Sequence, residues 1–159
     1  MFPMNRREHG YALIDVGVAL ALTGVLLALA LSTWGSTLRG RRVTRVAEDL
    51  TGLLRYAQQL AVADSVDACL YRVTVSTTDA VVRRIPPDPT TGCAPAAAPD
   101  PILRQISPYP SGVTTTAQVV EFLPSGRVVG GSATITVAAG TSSRTVSVEG
   151  ATGRTEVGP

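Results

Sequence analysis

The sequence predicts an α+β fold, in which a long N-terminal helix packs on an antiparallel β-sheet domain. No proline occurs between Pro3 and Pro86, and the first part of this stretch is strongly apolar. The last third of the chain instead has runs rich in Val, Thr and Ile, separated by glycine-containing turns. The first pattern favours a continuous helix, and the second is typical of antiparallel strands. A chain of 159 residues suits one domain with a short appendage.

The N-terminal part of the helix is predicted to cross a membrane. Val16–Leu38 has 23 residues without a charge. A helix of that length spans roughly 34 Å, enough for a hydrocarbon core of roughly 30 Å. Arginines flank the stretch on both sides, so their count alone does not orient it. A secretory signal peptide cut near "LALALST" and a plain membrane anchor are alternatives.

Asp15 is unusual in this setting. A carboxylate costs about 2.5–3.5 kcal/mol at the centre of a membrane helix and less near its end. Neither a signal peptide nor a plain anchor explains why the chain carries it. We therefore expect Asp15 to have a cationic partner.

The second part of the helix has the pattern of an amphipathic helix that covers a core. Apolar residues between Val43 and Ala61 recur at gaps of three and four, and charged or amide residues fill the positions between them. This predicts an amphipathic helix over residues 41–63, continuous with the apolar segment from about Ala12. A helix lying on a membrane surface is the alternative, although its polar face mixes both charge signs.

A β-rich region is predicted over residues 67–157. The segments "ACLYRVTV" and "AVVRRI" have strand composition, and "STTD" between them reads as a turn. Pro86–Pro101 contains six prolines and is predicted to be a surface loop, followed by an edge strand in "ILRQIS". From Gln118 onward, strands and tight turns alternate, which predicts one antiparallel meander.

The N-terminus resembles a known processing signal. The segment "RREHGYALIDVGVALALTGVLL" has a basic leader that ends at Gly10, an aromatic Tyr11, and Asp15 before an apolar run that contains Gly24. It resembles the signal of type IV pilins and of the pseudopilins of type II secretion. The family usually has Phe, Glu and a later Pro where this chain has Tyr11, Asp15 and Ser32.

This resemblance implies a role for each residue of the motif. A prepilin peptidase would cut between Gly10 and Tyr11, remove the leader 1–10 and leave Tyr11 as an N-methylated terminus. Asp15 would pair with the N-terminal amine of a neighbouring subunit. Residues 11–38 would form the transmembrane and filament-core helix, and residues 39–159 would form a globular domain outside the inner membrane, with the leader in the cytoplasm.

The C-terminal part is similar to the minor-pilin subgroup called GspH/FimT. Such domains carry an F-x-P-x-G turn, here Phe122, Pro124 and Gly126, and a terminal strand preceded by Gly-Arg, here Gly153 and Arg154. The resemblance implies a minor pilin or pseudopilin that assembles with other such subunits into a type IV pilus or a secretion pseudopilus.

DNA uptake is the alternative function. Some FimT-like proteins bind DNA through basic residues near the C-terminus, which makes Arg127, Arg144 and Arg154 candidate contacts. Acidic residues lie close to Arg154, and the formal net charge of the whole chain is only +2, so DNA binding is not the favoured hypothesis. A plain anchored domain unrelated to pili is a further alternative.

The two cysteines, Cys69 and Cys93, form a disulfide if the domain lies outside the cytoplasm, as the resemblance implies. Two free thiols are the alternative. The sequence offers no catalytic, cofactor or metal site. The single histidine, His9, lies in the leader, lysine is absent, and no pair of acidic residues stands out as an acid and a base.

Overall fold

The structure is a computed structural model that describes residues 8–64, 70–85 and 101–159. Within the first helix, it describes side chains for residues 14–29 and from residue 35 onward. The chain divides into two compact units, Met1–Leu38 and Arg39–Pro159. The predicted loop at 86–100 and both cysteines, Cys69 and Cys93, lie outside the described residues.

Helix α1 runs from Glu8 to Ala63 and has 56 residues. It confirms the predicted long helix and begins four residues earlier than expected. The segment is rich in Ala and Leu and has no proline, so its backbone meets no residue that would break a helix. The helix ends where the amide N–H of Asp64 donates to the carbonyl of Leu60 (2.9 Å).

In the first unit, the apolar side chains of α1 point into open space. Leu20 is 68% exposed, and the large apolar side chains from Ile14 to Leu29 are all more than half exposed. Asp15 is exposed in the same stretch. Within the part of the chain that the structure describes, no helix is both long and apolar enough to cross a membrane.

In the second unit, one stripe of α1 lies in the core. The predicted amphipathic pattern is confirmed, because the expected apolar positions are buried, apart from Leu60, which is partly buried. The buried stripe consists of Val43, Val46, Ala47, Leu50, Leu53, Leu54, Ala57 and Ala61. The hydroxyl of Thr51, which also lies in this stripe, donates to the carbonyl of Ala47 (2.8 Å), so its burial leaves no unpaired hydroxyl donor.

Among the described residues, eight strands form two antiparallel sheets. The first sheet has the order β3-β2-β1-β5 and the second has the order β4-β6-β7-β8. The strands are β1 (Leu70–Val75), β2 (Ala80–Ile85), β3 (Ile102–Ile106), β4 (Thr114–Thr115), β5 (Gln118–Phe122), β6 (Ala133–Ala139), β7 (Ser142–Val148) and β8 (Thr155–Gly158). Both sheets contribute to the same core as α1, with Phe122 and Ile135 fully buried.

The first sheet follows the sequence prediction closely. The β1–β2 hairpin turns at residues 76–79, where the N–H of Ser76 donates to the carbonyl of Asp79 (2.8 Å). Strand β3 is an edge strand as predicted, and its register shifts opposite Val82 and Arg83. The guanidinium of Arg104 in β3 lies 5.4 Å from the ring centre of Tyr56, which links this edge to α1.

The predicted C-terminal meander is wrong in one respect. Strand β5 pairs with β1 in the first sheet, with Phe122 opposite Tyr71, and only β6, β7 and β8 form a continuous meander. The predicted turns are present, but a turn in the sequence fixes only where the chain reverses. The strand that accepts β5 lies almost fifty residues earlier, and local pattern carries no information about that pairing.

Candidate functional site

Gln58 joins two turns that are far apart in the sequence. Its side-chain amide nitrogen donates to the carbonyl of Gly126 (3.2 Å) and to the carbonyl of Thr152 (2.8 Å). The first carbonyl belongs to the turn after β5 and the second to the turn before β8. One helix side chain therefore holds together the two short motifs that the sequence analysis singled out.

Both turns depend on glycine. Gly126 has φ +78° and Gly153 has φ +68°, a region that other residues rarely adopt. A Cβ atom on Gly153 would lie 2.2 Å from the carbonyl oxygen of Gly126 and 2.4 Å from the side-chain nitrogen of Gln58. The F-x-P-x-G and Gly-Arg motifs are thus two sides of one close backbone contact.

A groove lies beside this contact, between α1 and β8. Its volume is about 690 Å³, and it is lined by Arg55, Gln58 and Gln59 of α1 and by Thr152 and residues 154–157. The guanidinium of Arg55 donates to the carbonyl of Thr155 across the groove (3.1 Å). The groove is therefore a polar cleft with a helix on one side and the last strand on the other.

The charges around the groove are only partly paired. Arg154 and Glu156 form an ion pair at 2.7 Å, with side chains 74% and 58% exposed. An ion pair this exposed contributes little to stability, because water screens it. Arg55 forms no ion pair with any residue that the structure describes, and its charge therefore faces the groove uncompensated.

Of the three arginines proposed as DNA contacts, Arg144 lies apart from Arg154. Arg127 is exposed in the turn after β5, and Arg154 lies at the groove. Arg144 is in β7, paired with Val137, on the same face as the buried Val146. It is four residues from Val148, the partner of Thr155, which is about 13 Å along a strand. DNA contact by these three arginines stays a prediction.

A small polar cluster holds the end of α1 against the first sheet. The hydroxyl of Tyr71 donates to the carboxylate of Asp64 (2.7 Å), and Arg84 approaches the same carboxylate at 3.3 Å. Burial, together with the hydrogen bond to Asp64, raises the pKa of Tyr71 to about 12. Burial also raises the pKa of Tyr109, on the loop before β4, to about 12. Both hydroxyls are neutral at physiological pH.

The predicted processing and assembly residues lie in the first unit. Gly10 and Tyr11 are within α1, and Asp15 follows on the same helix with an exposed side chain. In the described part of the chain, no group of three or more His, Cys, Asp or Glu residues is placed to hold a metal ion.

Sequence reasoning did not single out Gln58, although a signal was available. Gln58 is four residues after Leu54 and three before Ala61, so it lies at the edge of the buried stripe of α1, where it is half-buried. A polar residue at such an edge indicates a hydrogen-bond partner on the packed element. The partners themselves, 68 and 94 residues away, follow only from the fold.

The family described as type II transport protein GspH matches residues 46–152 of this chain, which is more than half of its length. This chain belongs to the GspH family. The match covers most of the amphipathic half of α1, strands β1 to β7 and the turn at Gly126, and it ends at Thr152, before β8. The prediction of a GspH/FimT-type minor pilin or pseudopilin is confirmed at the level of the family.

Solved structures of similar fold agree with this assignment. The type IV minor pilin FimU of Pseudomonas aeruginosa is 16% identical, with a TM-score of 0.58 over 75% of this chain and 90% of FimU. The minor pseudopilin EpsH of the Vibrio cholerae type 2 secretion system is 12% identical, with a TM-score of 0.53 over 73% of this chain and 95% of EpsH. At these identities the likeness concerns the fold. No curated protein sequence matches the chain significantly.

Proposed function

We propose that this GspH-family chain is made as a precursor, cut between Gly10 and Tyr11, and assembled as a minor subunit of a type IV pilus or a type II secretion pseudopilus. The observation that carries the proposal is the difference in side-chain burial between the two halves of α1. One stripe of its second half is buried in the family domain, whereas the large apolar side chains described in its first half are exposed, with one carboxylate among them.

An apolar helix surface of this extent requires a cover. Large exposed apolar surfaces mark sites that bind a membrane or another protein. For a pilin-like subunit, lipid provides the cover before assembly, and the helices of neighbouring subunits provide it in the filament. In this arrangement residues 11–38 cross the inner membrane once, and the domain 39–159 lies outside the cytoplasm.

Asp15 completes the assembly hypothesis. Cleavage after Gly10 makes Tyr11 the first residue, so its amine carries a positive charge four residues before Asp15. In a helix bundle of low dielectric constant, a carboxylate is tolerable where a cation meets it. The amine of a neighbouring subunit supplies that cation, and Asp15 thereby sets the axial register between adjacent helices.

The location outside the cytoplasm also supports a Cys69–Cys93 disulfide. An oxidising compartment favours such bonds, and this one would close a loop of about 25 residues, worth roughly 3–4 kcal/mol on the chain-entropy account.

The mature N-terminus tests the proposal. We expect N-terminal sequencing and intact mass of protein purified from its native membrane to show a chain that begins at a methylated Tyr11. A host without prepilin peptidase, or a Gly10→Lys variant, should retain the leader. Retention of Met1 in the unmodified host, or a start after Ala30, would remove the pilin assignment of the N-terminus.

A further inference from the structure

The outer edge of β8 has backbone groups that the sheet does not use. Strand β8 is last in the order β4-β6-β7-β8, so no described strand lies beyond it. The N–H of Glu149 donates to the carbonyl of Arg154 (2.9 Å), and the register then pairs Ser147 with Glu156. Hydrogen-bonded pairs alternate along antiparallel strands. Glu156 therefore bonds to β7, and the residues on either side of it direct their backbone groups outward.

The contact with Arg55 supports this assignment. Its guanidinium reaches the carbonyl of Thr155 from the helix side, which places that carbonyl on the outer edge of β8. The N–H of Thr155 and both backbone groups of Val157 point in the same direction. The groove of about 690 Å³ between α1 and β8 thus runs along the outward N–H of Thr155 and the outward backbone groups of Val157, beside the carbonyl that Arg55 occupies.

We propose that this groove binds an extended segment of another polypeptide, which adds to the second sheet as a strand beside β8. A sheet edge flanked by a helix suits this mode of recognition. Main-chain hydrogen bonds to the strand hold the peptide, and residues of the helix contact the side chains of the peptide. The segment carries a carboxylate that pairs with Arg55.

The charges of the groove select an acidic segment. Arg154 is compensated by Glu156, whereas Arg55 uses one of its five N–H donors on Thr155 and has no carboxylate partner among the described residues. A carboxylate opposite Arg55 would form a charge-assisted hydrogen bond. Gln59, exposed next to Arg55 on the groove wall, offers an amide for the peptide backbone or side chains.

A neighbouring subunit of the same filament is the source of the segment, so the biological meaning of the site rests on the proposed function. Binding itself does not require cleavage after Gly10, nor Asp15. A peptide experiment can therefore fail while processing succeeds, or the reverse, and the two results can be told apart.

The test uses the full chain purified in detergent and a labelled, capped peptide of sequence Thr-Val-Glu-Val-Thr, with binding followed by fluorescence polarisation. A second peptide has Gln in place of Glu. The informative variants are Arg55→Gln, which removes the charge, and Val157→Pro, which removes one outward N–H. Proline is tolerated at an edge position whose N–H faces away from the sheet. Val157→Ala is the matched control, because it shortens the side chain and keeps the N–H.

We expect the Glu peptide to bind and both Arg55→Gln and Val157→Pro to weaken it about tenfold, whereas Val157→Ala changes affinity by less than about threefold. The Gln peptide should bind the unmodified protein about tenfold more weakly, but should lose nothing further on Arg55→Gln. No binding at millimolar peptide, or equal binding to Val157→Pro and Val157→Ala, overturns the proposal. Displacement of the peptide by double-stranded DNA in an Arg55-dependent manner would overturn it in favour of a phosphate site.

Discussion

At the scale of single residues, Gln58 shows how a polar side chain at the edge of an apolar stripe can link distant turns. Its amide nitrogen serves two backbone carbonyls, one in each of two distant turns. The carbonyl of the buried Gly126 would otherwise need another donor, and a buried polar group without a partner is costly. The residue therefore stabilises the turns as well as the end of α1.

This role gives a direct prediction for Gln58→Glu. The substitution keeps the shape of the side chain but places an oxygen where a donor faces two carbonyls. We expect it to lower the free energy of unfolding at neutral pH by about 1–3 kcal/mol, measured by urea denaturation of the purified protein.

Gln59→Glu is the control, because it makes the same chemical change on the next, exposed residue. It should change stability by less than about 0.5 kcal/mol. Equal losses for the two variants would show that the change in charge, and not the two hydrogen bonds of Gln58, causes the effect.

At the scale of elements, the sequence predicted the features that are set within one segment and did not predict the contacts between distant segments. The buried stripe from Val43 to Ala61 follows from a repeat of 3.6 residues, and the β1–β2 hairpin follows from two strand-like runs around a short turn. The pairing of β5 with β1 and the groove beside β8 arise from contacts between distant segments. No periodicity within a segment encodes such contacts. The hydrogen bonds of Arg55 and Gln58 to distant carbonyls were therefore not predicted.

The two glycine turns supply a prediction at this scale. Gly153→Ala should destabilise the protein much more than Gly112→Ala, although both glycines have positive φ. Gly112 has open space where a Cβ would lie, so only the backbone preference is lost, about 1 kcal/mol. At Gly153 the Cβ would also meet the carbonyl oxygen of Gly126.

Thermal unfolding of the two variants separates these contributions. The difference between their midpoints reports the close approach of the two turns, because the cost of positive φ is common to both. Equal midpoints would mean that the turns move apart freely, in which case Gln58 would not hold them together.

At the scale of the whole molecule, the chain combines a unit that buries its apolar surface with one that exposes it. The unit Arg39–Pro159 contains the core of α1 and the two sheets. The unit Met1–Leu38 has its large apolar side chains exposed from Ile14 to Leu29. A subunit of this kind is complete only in an assembly, which is the expectation for the proposed filament role.

Asp15→Ala tests the assembly hypothesis on the whole subunit. Membrane insertion should be unchanged or improved, because an apolar residue replaces a costly carboxylate. Incorporation into sheared filaments or pseudopili, measured by immunoblot against the membrane pool, should fall, because the neighbouring amine loses its partner. Asp15→Glu restores the charge and should restore incorporation. Full incorporation of the alanine variant would make the charge pair dispensable.

The balance of charge predicts weak DNA binding. Residues 41–159 contain eleven arginines and ten acidic residues, so the domain has no broad positive field. We expect a mobility-shift titration of the purified protein to show little or no binding to double-stranded DNA near physiological salt. Any residual binding should weaken steeply as salt rises. Micromolar affinity that is abolished when Arg127, Arg144 and Arg154 are replaced together would instead identify a DNA receptor.

The bonds around Gln58 also have a consequence for when the groove exists. They link residues separated by 68, 94 and, for Arg55 and Thr155, 100 positions along the chain. Contacts of such long range form after local ones during folding, since long loops must close first. The wall of the groove therefore exists only when distant parts of the chain have come together. A partner that binds there would bind only folded subunits. Unfolded subunits would lack this surface and would not enter the filament through this contact.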